Sequence, residues 1–99
     1  MLAESVISLP KGDMVCCRFW EDESVVYNQL SGKTHLIDGL GAHVFKLISA
    51  KAITRTALLE NIDSVFEFEI DSDVAEVLDN LILEYQKLGL LVVTENNPA

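Results

Sequence analysis

Basic residues are scarce in this chain and almost vanish from its second part. Seven lysines and arginines face sixteen aspartates and glutamates, giving a net charge of -9. Through residue 59 six acids (Glu4, Asp13, Glu21, Asp22, Glu23, Asp38) balance six bases (Lys11, Arg18, Lys33, Lys46, Lys51, Arg55), whereas from residue 60 onward ten acids stand against Lys87 alone. Such a surface repels phosphate backbones and attracts basic peptides or basic protein surfaces, so nucleic acid is not an expected partner. A solvated acidic helix face that keeps the protein soluble accounts for the same residues.

Other absences narrow the choice further. No apolar run approaches the roughly 20 residues a membrane span needs. The start, Met-Leu-Ala-Glu-Ser, lacks the basic region and apolar stretch of a secretory signal, so no membrane association and a cytoplasmic location are expected. The two cysteines, Cys16 and Cys17, are adjacent, and neighbouring strand residues point to opposite faces, so they cannot readily pair. With no lysine or helix start beside them, nothing in the sequence lowers a thiol pKa for redox work. His35 and His43 fall on different elements, and no C-x-x-C or H-x-x-x-H spacing fixes a metal set with the cysteines. Ser24, Ser31 and Ser64 have no nucleophile-elbow context, and Gly39-Leu40-Gly41 lacks the third glycine and the lysine of phosphate loops. No catalytic residue, metal or cofactor is therefore expected, and the chain does not read as an enzyme.

What is present is a dense apolar pattern, 49% of 99 residues, enough for one folded domain without repeats or low-complexity segments. Met14–Trp20 follows the turn residues Lys11-Gly12-Asp13 and reads as a first strand. After the polar reversal at residues 21–24, Val25–Leu30 is a second. Ser31-Gly32 supplies a hairpin turn. Lys33–Ile37 is a third strand, with Thr34 and Leu36 on one face and Lys33, His35 and Ile37 on the other. Asp38 then caps a helix from Gly39 to Ser49 whose buried stripe is Leu40, Val44, Leu47 and Ile48, with Phe45 at its edge. Thr54 caps a shorter helix ending near Ile62, with Leu58, Leu59 and Ile62 inward. Asp63–Ile70 is a connector with alternating Phe66, Phe68 and Ile70.

The last helix is the most strongly patterned. Asp71 or Ser72 caps it, Asp73 and Glu76 suit the dipole of its first turns, and Gly89 ends it with Leu90 folding back. Val74, Val77, Leu78, Leu81, Tyr85 and Leu88 form its inward stripe; Ile82 falls to the side and Leu83 opposite. Leu91-Val92-Val93 is a short strand or extended tail. The resulting fold class is α+β: a winged-helix-like arrangement of a three-stranded antiparallel sheet followed by three helices. Its third strand is a candidate edge whose free N–H and C=O groups could take up an extended peptide as a further strand.

Several segments carry a family resemblance: Val26-Tyr27-Asn28, the turn Ser31-Gly32, Thr34-His35-Leu36, the helix Ala42–Ile48 and the ending Leu88-Gly89-Leu90. The chain resembles the PqqD family of peptide chaperones, whose fold is the RiPP recognition element. The run Tyr-Asn-x-x-Ser-Gly-x-Thr-His-Leu is most similar to the branch associated with HPr-rel-A gene systems. Phe45 stands where relatives often carry tryptophan, and the Phe66–Ile70 connector matches no motif. The resemblance implies a non-catalytic chaperone that binds the leader of a ribosomally made precursor peptide and presents it to a peptide-modifying enzyme. It places the leader along Lys33, Thr34, His35, Leu36 and Ile37, opposed by Val74, Leu78, Leu81, Ile82 and Tyr85. Leu36, Val74, Leu78 and Leu81 read as core ahead of contact, while His35 and Ile82 are the least committed to it. Ordering a disordered leader would hold affinity near the micromolar range, roughly. Two other classes stay open: a scaffold or homodimer contacting a partner enzyme without a leader, and a winged-helix DNA regulator, which the lone Lys87 of the last helix disfavours. Monomer and homodimer are both compatible with the sequence.

Overall fold

The computed structural model describes residues 5–12, 14–21, 23–65 and 73–95. It is an α+β fold with two small antiparallel sheets and three helices. The strands of the main sheet are β2 (Val15–Trp20), β3 (Glu23–Asn28) and β4 (Lys33–Asp38), joined as two hairpins in the order β2-β3-β4. Burial alternates along each strand, with Val15, Val26 and Ile37 turned into the core and an outward face that mixes polar and apolar side chains. Register places Val26 opposite both Cys17 and His35, and Ser24 opposite Ile37. Helix α1 (Gly39–Ala50) leaves β4 directly and buries Val44, Phe45 and Ile48.

The second sheet is the main addition to the sequence reading. Strand β1 (Val6–Ser8) lies between β5 (Ile53–Thr54) and β6 (Val92–Thr94), so the chain's beginning, the α1–α2 connection and the segment after the last helix meet in one ladder. All three strands, of two or three residues, are too short to show periodicity, although the stretch after Gly89 is extended as expected. Helix α2 (Arg55–Val65) starts where expected, with the Thr54 hydroxyl accepting from Ala57 N–H, but runs three residues past Ile62. The alternating Phe66, Phe68 and Ile70 lie outside the described residues.

Helix α3 (Val74–Lys87) is capped by Asp73, whose carboxylate accepts from Glu76 N–H at 3.1 Å. The expected caps, Asp71 and Ser72, fall outside the described residues. At its other end Leu90 N–H donates to the Tyr85 carbonyl and Gly89 N–H to that of Gln86, with Gly89 at φ +74°, which is a Schellman motif. Leu90 folds back into full burial. One core then joins the main sheet, the three helices and Ile7 of β1, around Phe45. The Phe45 and Tyr85 rings meet at 5.1 Å and 60°.

Candidate functional site

Among the described residues strand β4 has β3 on one side and no strand on the other, so it is an open edge there. Alternate N–H and C=O groups of an edge strand point away from the sheet and await a partner. Two features hold this edge in place relative to α3. At its start, Asn28 is buried at the mouth of the β3–β4 turn. Its side-chain oxygen accepts from Leu30 N–H at 2.9 Å and Ser31 N–H at 3.4 Å, while Nδ2 donates to the Gly89 carbonyl at 3.4 Å. The hairpin is thereby tied to the C-terminal end of α3.

At the far end of β4, α1 approaches both elements through Gly41. A Cβ there would lie 2.6 Å from Ile37 Cγ2 and 2.5 Å from the Tyr85 hydroxyl, so only glycine lets Ile37 of β4 and Tyr85 of α3 converge beside α1. With Gly89 at the Asn28 end and Tyr85 at the Ile37 end, the last turns of α3 run antiparallel to β4. Tyr85 is half-buried, and its phenol is held above its ordinary pKa first by burial, then by the charges of Glu84 and Asp38. The phenol therefore stays neutral in ordinary conditions, and Asp38 sits within electrostatic reach of it.

Lys33, Thr34 and Leu36 are exposed, and His35 is half-buried. Leu36 is 71% exposed, which corrects its reading as core: the outward face of β4 carries Thr34, Leu36 and Asp38. Ile37 is buried among core residues instead. On α3, Val74, Leu81 and Tyr85 are half-buried, but Leu78 and Ile82 are wholly enclosed.

Ile82 is thus corrected from a lateral contact to a core residue, and no ligand reaches its side chain in this conformation. The helix carries a wider apolar arc than the core uses. Its fully buried line is Leu78–Ile82, and the surplus emerges on the other flank, where Val77 and Leu88 are 45% and 44% exposed. Those two were expected inward and instead border Leu81 and Tyr85 along a half-open apolar flank. Asp38, expected to cap α1, precedes the helix but makes no side-chain cap hydrogen bond, so its carboxylate stays exposed at the end of β4.

The outer face of the main sheet is a second feature that periodicity alone did not single out. Trp20, Val25, Tyr27 and Leu36 share it with Arg18, and Trp20 is 54% exposed. Cys16 lies on this face; Cys17, half-buried on the other, has its thiol pushed up to about 11 by burial and then by Cys16. Among the described residues no cluster of histidine, cysteine or acidic side chains is arranged to hold a metal ion. No helix there is long and apolar enough to cross a membrane.

No family model matches the chain, and no curated protein matches it. A solved structure does. The fold is similar to that of TbiB1 in complex with the TbiA(beta) leader peptide, with a TM-score of 0.72 over 85% of this chain and 93% of that one. Sequence identity is 17%, so the shared property is the fold.

Proposed function

We propose that this protein is a non-catalytic peptide chaperone of the RiPP recognition element type. In this reading it binds the leader of a ribosomally made precursor by strand addition at β4 and presents the remainder to a modifying enzyme. The observation that carries the proposal is the open edge of β4, tied to the last turns of α3 through Asn28 at one end and Gly41 at the other. Main-chain bonds along such an edge supply affinity, and side chains beside it supply selectivity. The fold shared with TbiB1, solved with a leader peptide, supports the same reading, and so does the resemblance to the PqqD family and its HPr-rel-A branch. The contact set is Lys33, Thr34, His35 and Leu36, with Val74, Leu81 and Tyr85 opposite. Ile37, Leu78 and Ile82 act from beneath, as support.

A titration of the isotope-labelled protein with leader peptides from neighbouring genes tests this. Amide shifts concentrated on residues 33–38 and on the Val77–Leu88 flank are expected. Shifts that avoid β4 with every candidate would remove the proposal.

The exposed outer face of the sheet favours a second reading, a scaffold that contacts a partner enzyme without a leader. Exposed Trp, Tyr and Arg side chains are the types that anchor protein interfaces. Substituting Trp20 by Ser would then abolish enzyme binding while leaving residues 33–38 silent to every peptide. A DNA-reading role finds little support, since α3 presents Glu76, Asp79 and Glu84 with Lys87 as its single base.

A further inference from the structure

We propose that the peptide taken up along β4 is cationic at one end: a lysine or arginine lies beside Asp38 and Glu84, and apolar side chains face Leu81 and Tyr85. The inference rests on strand addition at β4 and names the chemistry that this edge selects.

β4 opens on Lys33 and closes on Asp38, both exposed and of opposite sign. Five residue steps separate them, about 17 Å of extended chain. Asp38 makes no capping bond, and the only ion pair among the described residues is Arg55–Asp79, so Asp38, Glu84 and Lys33 are all without a salt-bridge partner there. Asp38 follows Ile37 and Glu84 precedes Tyr85, and those two neighbours converge at Gly41, so both carboxylates belong to the same end of the edge; their charges also help to raise the Tyr85 phenol. A cation arriving there meets two carboxylates and an aromatic ring, whereas a carboxylate meets like charge from both. The net charge of -9 biases the encounter the same way at long range.

The middle of the strand sets the remaining pattern. Side chains of an added strand alternate between faces. Those turned inward lie along the Val77, Leu81, Tyr85 and Leu88 flank; those turned outward lie beside Leu36, where an apolar cross-strand pair contributes some tenths of a kcal/mol, roughly. Main-chain bonds alone leave the register of an edge strand weakly specified. Opposite charges at the two ends of β4 pin it, because a slip or a reversed charge order moves the peptide's cation toward Lys33.

The test is a selection of random linear peptides displayed on phage against the immobilised full chain, with the selected peptides synthesised and titrated against labelled protein. Expected are peptides with lysine or arginine at one end that shift the amides of residues 33–38. The double variant Asp38→Lys/Glu84→Lys should bind them about tenfold more weakly and select acidic peptides in their place. Should that variant lose its dispersed amide spectrum, Asp38→Asn/Glu84→Gln replaces it, with a loss of about threefold. Peptides that shift β4 but show no charge bias, or bind the variant as well as the parent, overturn this inference and leave strand addition standing. No selected peptide, or shifts away from β4, overturns strand addition itself.

Discussion

At the residue scale, function is argued from a few side chains that fix the edge rather than form it. Asn28 satisfies two turn N–H groups and a carbonyl at the end of α3. Replacing it by Ala removes three hydrogen bonds to partly solvated groups and should cost about 1 kcal/mol in denaturant unfolding. It should also weaken peptide binding by more than its stability loss explains, since the hairpin is freed from α3. Gly41→Ala forces a methyl against Ile37 and the Tyr85 hydroxyl, at an expected cost of about 1–3 kcal/mol. Removing the hydroxyl relieves one of the two clashes, so the cost of Gly41→Ala should shrink in a Tyr85→Phe background. Additive costs in that double-mutant cycle would show that the two sites do not touch. Cys17 supplies a pH signature. Its thiol titrates near 11 when folded and near 9 when unfolded. The unfolded chain therefore sheds its proton first as pH rises, and stability present below pH 9 declines between about 9 and 11. A Cys17→Ala variant should lose that component of the alkaline decline in pH-dependent thermal melts.

At the element scale, capping separates two aspartates that look alike in sequence. Asp73 accepts a hydrogen bond from Glu76 N–H and Asp38 accepts none at the start of α1. Asp73→Ala should cost about 1 kcal/mol, while Asp38→Ala should leave thermal stability nearly unchanged and act on peptide binding alone. Equal losses from both would contradict the role given to Asp38. The same elements show how far the sequence was legible. The two hairpins, α1, the start of α2 and the Gly89–Leu90 ending all have local signals: alternation, a turn glycine, a capping hydroxyl, a positive φ. Of the β5-β1-β6 sheet only the strand after Gly89 has one, in Leu91-Val92-Val93; the pairing has none, because it joins segments dozens of residues apart through strands of two or three residues. On α3 the periodicity located the apolar arc but not which part of it the core would take. Hence Val77 and Leu88, expected inward, are partly exposed, and Ile82, expected at the side, is core. Parity with buried Ile37 puts Leu36 on the outer face, against its expectation as core. Gly41 carried no signal, since a close approach between elements is invisible before they are assembled.

At the scale of the whole molecule, one charge distribution acts on two distances. Near the edge, Asp38 and Glu84 set which end of a peptide lies where. Farther out, the net charge of -9 sets how often a basic peptide arrives. Salt separates these from the contacts that hold the peptide once it is paired. Raising ionic strength from about 0.02 to 0.5 M shortens the Debye length from roughly 20 Å to about 4 Å, which removes steering but leaves strand hydrogen bonds and the Leu81–Tyr85 contacts unscreened. Stopped-flow binding of a basic peptide should therefore show an association rate that falls about tenfold over this range, with a dissociation rate changing by less than about threefold. A dissociation rate that rises as steeply as the association rate falls would mean that charge, and not the sheet edge, holds the peptide. The protein would then act as an acidic surface on which β4 has no special part.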